Sequence, residues 1–381
     1  MEEVRLSKIA QISAGQAAPK EFSDFGLPFI RAGHLEELID GKKLNELPKV
    51  NDDIAKKNKL KVIPAGSILF AKSGMSATKN RIFITTENSY YVSHLAAVIP
   101  SPKYDSSYLA RFLSWYNPTN LILDNAYPSI RLEDINNLEI TLPNLANQQR
   151  IAAILDQADA IIQNNRAIVQ KYDALTQSLF LDMFGDPVKN EKGWEVDNLS
   201  IVAPFKKFDG KIKKINGNYW LLNLDMIEQQ TGNVIEKKYV SANEINTSTI
   251  SFSENQVLYS KLRPYLNKVL IPDESGYGTS ELVPMNPKGG VIDKFFLAHL
   301  LRTNNFVNYI NDKVAGAKMP RVNMDTLRDF QIILPPIQLQ NQFAERVAMI
   351  EAQKEQAQIE LAKSEELFQS LLQRAFKGEL N

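Results

Sequence analysis

The sequence contains no cysteine, which excludes disulfide staples and thiolate metal centres and fits a reducing compartment. Its three histidines, His34, His94 and His299, stand singly, without an H-E-x-x-H pair or any metal-ligand spacing. No run approaches the roughly 20 apolar residues of a membrane span, and the opening "MEEVRLSKIAQ" lacks the apolar stretch of a signal peptide. A cytoplasmic location with no membrane partner is the expectation. No G-x-x-x-x-G-K-[ST] phosphate loop is present. The glycines of "GYGTSE" (Gly276–Glu281) miss dinucleotide spacing, and "NPTN" (Asn117–Asn120) lacks the second proline and stacking aromatic of an amino-methyltransferase motif. The serines of "SGMS" and "SHL" have no partnered base in view. Net charge is also missing, since 44 basic residues balance 44 acidic ones. Any binding to a polyanion must therefore rest on local charge. So thin a catalytic inventory points to a non-catalytic chain.

What the chain does have is a second copy of itself. "PSIRLEDINNLEITLPNLANQQRIAAIL" and "PRVNMDTLRDFQIILPPIQLQNQFAERV" align without a gap at a shift of 192, from Pro128 on Pro320 through Ile151 on Phe343. The same shift lays "PFIRAGHLEE" over "WLLNLDMIEQ", with Arg31 opposite Asn223. A slightly smaller shift lays "SILFAKSGMSATKNRIFI" over "QVLYSKLRPYLNKVLI". This period is too long for a solenoid. A duplicated module suits a protein that meets two related but different objects at a fixed separation.

Each copy reads as short β-type runs broken by Gly, Pro and Asn, with one amphipathic helix ("SSYLARFLSWY", "DKFFLAHLLRT"), followed by a long helix. The expected fold class is α+β: two tandem mixed α/β globules with curved sheets, separated by a long antiparallel two-helix coiled coil, with an internal pseudo-two-fold. The expected boundaries are 1–144 and 187–336 for the globules, and 145–186 and 337–381 for the helices. The first helical seam runs through Ile151, Leu155, Ala158, Ile162, Asn165, Val169, Tyr172 and Leu179. The second runs through Phe343, Val347, Ile350, Ala357, Leu361, Phe368 and Leu371, interrupted by Lys354 and Ser364. The pattern predicts helices of about 33 residues, roughly 50 Å each. Gly185-Asp186-Pro187 should stop the first and Gly378 the second. Asn165 either fixes the register of the seam or is a partly wet position at its edge.

Two basic segments recur in both copies. Lys72, Lys79 and Arg81, with Ser73, lie in a loop between strand-like runs, and Lys261, Arg263 and Lys268, with Tyr265, lie in the matching loop. Such a loop suits phosphate contact and base-edge readout together; its plain alternative is a solvated hairpin. The second segment precedes the last strand of each copy: "NAYPSIR", with Tyr127 and Arg131, and "AGAKMPRVN", with Lys318, Arg321 and Asn323. These residues, with Arg31 and Asn223, are the candidate DNA-binding set. The cluster Lys206, Lys207, Lys211, Lys213 and Lys214 is either a solvated surface or a phosphate clamp.

Together these features resemble the DNA-specificity subunit of type I restriction–modification systems, over essentially the whole chain. The carriers are the helix entries "LPNLANQQRIAAIL" and "LPPIQLQNQFAERV", the helix exits "LTQSLFLDMFGDP" and "SLLQRAFKGEL", and "LYSKLRPYLNKV" of the recognition domains. The resemblance implies a non-enzymatic subunit that binds double-stranded DNA with a two-part recognition sequence, one half per recognition domain. It further implies helices that space the domains and dock two methyltransferase subunits, which hold the S-adenosylmethionine, so that no cofactor is expected in this chain. Motor-nuclease subunits would join them. The competing readings are the specificity subunit of a related two-subunit type II enzyme, and a coiled-coil scaffold that binds something other than DNA.

Overall fold

The computed structural model describes residues 2–314 and 319–380. The chain forms two compact units: residues up to Asn165 together with those from Glu360 onward, and Arg166–Ile359.

In unit one, strands β1 (Glu2–Arg5), β2 (Ala10–Ala14), β3 (Leu27–Ile30), β4 (Lys49–Val50), β5 (Ile68–Ala71), β6 (Phe83–Ile84), β7 (Tyr90–Tyr91), β8 (Leu95–Pro100) and β9 (Glu139–Leu142) are shared among small open sheets. An antiparallel sheet has the order β2-β8-β5-β6, a mixed one has β4-β3-β7, and β1 pairs with β9. The run "ILFA" is apolar throughout because both faces of its sheet are buried. Alternation sends Ile68 and Phe70, with Ala96 and Val98, into a core with Tyr108, Phe112 and Ile151. Leu69 and Ala71, with Leu95 and Ala97, enter a second core with Phe29 and Tyr91.

Unit two repeats the plan. Its strands are β10 (Val196–Asn198), β11 (Tyr219–Leu222), β12 (Lys238–Val240), β13 (Ile250–Phe252), β14 (Val257–Ser260), β15 (Val269–Leu270), β16 (Gly276–Gly278), β17 (Leu282–Met285) and β18 (Gln331–Ile333). The orders are β15-β14-β17 and β12-β11-β16-β13, with β10 paired to β18. The parallel pair β11–β16 answers the parallel pair β3–β7. The glycines of "GYGTSE" thus belong to a strand. A Cβ at Gly276 would lie 2.8 Å from the Trp220 carbonyl oxygen.

The long helices are Leu145–Phe184 and Ile337–Phe376, 40 residues each, longer than the 33 or so that the seam predicts. The seam spans only the middle of each helix, with six residues ahead of Ile151 or Phe343 and five beyond Leu179 or Leu371. Asn144 Oδ1 accepts from the amide of Asn147 (2.9 Å), one turn before Ile151. At the other ends Gly185 (φ 79°) and Gly378 (φ 79°) take the left-handed conformation that closes a helix.

Within each unit the two helices run antiparallel. Unit one buries Ile151, Ala152 and Leu155 with Leu372, Ala375 and Phe376, and Asn165 Nδ2 donates to Ser364 Oγ (3.3 Å). The polar seam positions therefore meet each other, as a register device requires. Unit two packs Phe180 and Phe184 against Phe343 and Val347, and buried Lys354 donates to Asp173 (2.6 Å). Burial beside this pair pushes His299 down to about 3, so the imidazole is neutral.

One buried glutamine per unit fixes the long helix to its globule. Gln148 Nε2 donates to the Pro143 carbonyl (2.9 Å), and Oε1 accepts from the amide of Asp105 (3.0 Å), the cap of helix Ser106–Tyr116. Gln340 does the same with Pro335 (2.7 Å) and Asp293 (2.9 Å), the cap of helix Lys294–Arg302. Gln340→Leu should strand a buried carbonyl and a buried amide at about 1–3 kcal/mol each. The drop should show in the denaturation midpoint, while Gln340→Glu at low pH, still able to donate, should recover part of it.

Candidate nucleic-acid interface

Each unit projects a hairpin loop. In unit one it joins β5 to β6 through a 3₁₀ turn, Met75–Thr78; in unit two it joins β14 to β15 through Pro264–Leu266. The turn is entered through a left-handed residue in both, Gly74 (φ 75°) and Arg263 (φ 51°). Glycine takes that conformation freely, whereas an arginine there costs roughly 1 kcal/mol or more. Strain of this kind concentrates at functional positions.

The two segments predicted separately are joined in space. In unit one the amide of Ile130 donates to the Lys72 carbonyl (2.7 Å) and that of Gly74 to the Pro128 carbonyl (3.0 Å), around a Ser73–Ser129 bridge. In unit two Val322 donates to Lys261 (2.9 Å) and Arg263 to Pro320 (2.8 Å), around a Leu262–Arg321 bridge. The bonding is the same in both; a lysine and a proline recur, while Ser73 and Ser129 are replaced by Leu262 and Arg321. Each pair forms a two-strand ridge that carries Lys72, Ser73 and Tyr127, or Lys261, Arg263 and Arg321.

The last basic residue of each hairpin ties it to the segment that follows β3 or β11. Arg81 pairs with Glu36, five residues past Arg31. Lys268 donates to the carbonyl of Leu224, next to Asn223. Burial lowers the Lys268 pKa, partly offset by Asp225. Arg81 and Lys268 are thus held by protein partners, while Lys79, Arg263 and Tyr265 are exposed. Tyr127 is 83% exposed. Arg31 lies over the Phe22 ring, 5.0 Å from its centroid. Exposed Arg131 precedes helix Leu132–Asn136, and Asn323 Oδ1 caps Met324–Arg328 by accepting from Asp325 (2.9 Å). Lys318 lies outside the described residues. In the lysine cluster, Lys206 pairs with Asp209 (3.1 Å) and Lys214 sits over Tyr219.

Two residues of the ridges escaped sequence reasoning. His94 Nδ1 and Ser73 Oγ lie 2.7 Å apart, so the serine of "SGMS" does have a partner. Glu281 binds Arg321 through both oxygens. The parallel phrases "SHL" and "SEL", just before β8 and β17, were the available signal. Among the described residues no cluster of His, Asp or Glu is arranged to hold a metal, and no helix is long and apolar enough to cross a membrane.

The family model for the type I restriction modification DNA specificity domain matches residues 1–171 and again 191–362. The chain therefore belongs to the type I restriction–modification DNA specificity family. It is a DNA-recognition specificity subunit, a class that carries no catalysis of its own. Among curated relatives it is similar to the type I restriction enzyme EcoDI specificity subunit of Escherichia coli, 25% identical over 312 residues, or 71% of this chain and 70% of that one. The MjaIX specificity subunit of Methanocaldococcus jannaschii is 26% identical over 172 residues, 43% of this chain and 39% of its own. The fold matches a chain solved in work on complex assembly and conformational transition of the type I R-M system (TM-score 0.60, 14% identity, 100% of this chain and 98% of that one). It also matches the S subunit from M. genitalium (TM-score 0.55, 15% identity, 98% and 96%).

Proposed function

We propose that each unit reads one half of a two-part sequence in double-stranded DNA, with its ridge as the reading edge. The observation that carries this is the same backbone lacing in both units: a lysine recurs, Lys72 or Lys261, while Ser73, Gly74 and Ser129 of one unit face Leu262, Arg263 and Arg321 of the other. A shared frame with exchanged side chains suits two half-sites approached alike but spelled differently. The described candidates Arg31, Asn223, Lys79, Tyr265 and Arg131 then serve as contacts to the DNA backbone beside the ridges.

Two methyltransferase subunits dock along the long helices and supply the S-adenosylmethionine and the adenine chemistry, and motor-nuclease subunits join them in the cytoplasm. Support comes from large apolar side chains left exposed on the helices: Ile161 and Leu367 in unit one, and Ile168, Leu175, Met349 and Ile359 in unit two. Ile161, Ile168 and Leu175 recur every seven residues on the first long helix, and exposed apolar residues at that spacing suit a partner helix. Ile168→Glu with Leu175→Glu should abolish copurification of one methylating subunit while leaving the far-UV circular dichroism unchanged. Unmutated chain at saturation should carry two, and a stable one-to-one complex would contradict the duplication argument.

The DNA reading is tested by selecting duplexes from a random library with the assembled complex. Two short defined blocks around an undefined gap are expected. A single contiguous block would contradict a two-part target, and no selected sequence at all would favour the scaffold reading.

A further inference from the structure

The two ridges differ in the residue that stands just before β8 or β17. The amide of Lys72 donates to the His94 carbonyl (2.8 Å), and the amide of Lys261 donates to the Glu281 carbonyl (3.0 Å). These acceptors stand immediately before β8 and β17, so His94 and Glu281 occupy equivalent places. In unit one the side chain there engages a serine hydroxyl. In unit two it grips a guanidinium: Arg321 Nη2 donates to Glu281 Oε1 (3.0 Å) and Nε to Oε2 (3.3 Å).

The exposures of the pair are unequal, 20% for the Glu281 side chain and 58% for that of Arg321. The carboxylate is the anchored member and the guanidinium the presented one. A guanidinium has five N–H donors in a fixed plane. The fork to Glu281 occupies the Nε edge, which leaves the Nη1–Nη2 end pointing away from the carboxylate. Two parallel N–H groups in that geometry match O6 and N7 of guanine. A pair this exposed contributes little to stability, so bracing alone is a weak reason for it.

We infer that Glu281 is a positioning residue that aims Arg321 at a guanine in the half-site read by unit two. This rests on the DNA-reading role proposed above. In unit one the equivalent place holds a Ser–His pair with a mixed donor and acceptor character, so the two half-sites diverge here by construction.

The test compares the unmutated chain with Arg321→Ala and Glu281→Gln, each in complex with its methylating partners. Affinity is measured for duplexes in which every position of both half-sites is varied in turn. Arg321→Ala should lose the preference for guanine at one position of one half-site, by roughly tenfold to a hundredfold. Glu281→Gln keeps the size of the side chain and removes its charge; it should relax the same position severalfold, with the other half-site and the melting temperature unchanged. Weakening of all sequences alike in both variants, or base preferences unchanged at every position, would overturn the inference. If the unmutated complex itself shows no two-part preference, the DNA reading fails. A two-part preference that neither variant alters sinks the Glu281 inference alone.

Discussion

Alanine at Phe343 should destabilise unit two by about 3–5 kcal/mol, the cost of emptying a fully buried aromatic site that cannot collapse. Phe343 is 0% exposed. Its ring meets Phe180 at 5.5 Å and Phe184 at 5.4 Å between centroids, both edge-on, and His299 at 5.5 Å. Phe296 completes the cluster, 4.8 Å from Phe184. Three elements meet there: the end of the first long helix, the start of the second and helix Lys294–Arg302. The loss should show as an earlier unfolding transition in denaturant. Phe343→Leu should cost far less, since most of the volume remains. A Phe343→Ala midpoint within 0.5 kcal/mol of the unmutated protein would mean that the aromatic cluster does not hold the helices to the globule.

The second large effect is expected at the unit-two hairpin. Lys261→Glu combined with Arg263→Glu replaces two cations of the ridge with anions. A side chain that hydrogen-bonds a base edge contributes about 1–3 kcal/mol of discrimination, and its removal should cost that much. A side chain that instead neutralises a phosphate should, once removed, flatten the salt dependence of binding by about one in its logarithmic slope. Binding to the complete two-part site should fall at least tenfold, with the defined block of one half-site erased and the other intact. Lys72→Glu should reproduce the pattern in the opposite half. Arg263→Gly is the sharper control, because φ of 51° suits glycine. It should hold or raise stability while weakening DNA binding, a combination that a purely structural arginine cannot give. If both half-sites weaken equally in every variant, the ridges touch phosphates only and the reading surface lies elsewhere.

The repeat, the helices and the hairpins were legible because each rests on local periodicity or on alignment of the chain with itself. Ile151, Leu155, Phe343 and Val347 announced the seam through their spacing. Leu145 and Ile337, where the expected helix boundaries fall, open the two helices, but the bonds that Asn144, Gln148 and Gln340 make there were not legible, because they carry no apolar period. The hairpin cations could be found, but their neighbours could not: Ser129 meets Ser73 and Arg321 meets Leu262 only through long-range bridges. The same limit explains why Lys268 and Arg81 looked equivalent to Arg263. A lysine that ends on the Leu224 carbonyl and one that faces water have the same sequence neighbourhood. Asn323 belongs to the same group, since a polar residue ahead of a short helix reads equally as a cap or as a contact.

The most direct test of the central claim is single-molecule methylation mapping of DNA from cells that express this chain with its methylating partners. Two different short blocks should flank a gap of fixed length, with methylated adenine in both and no methylation at either block alone. Lys261→Glu with Arg263→Glu should erase or change one block and preserve the other. Methylation at a single undivided motif, or at two blocks that change together under that double substitution, would contradict the assignment of one half-site to each unit.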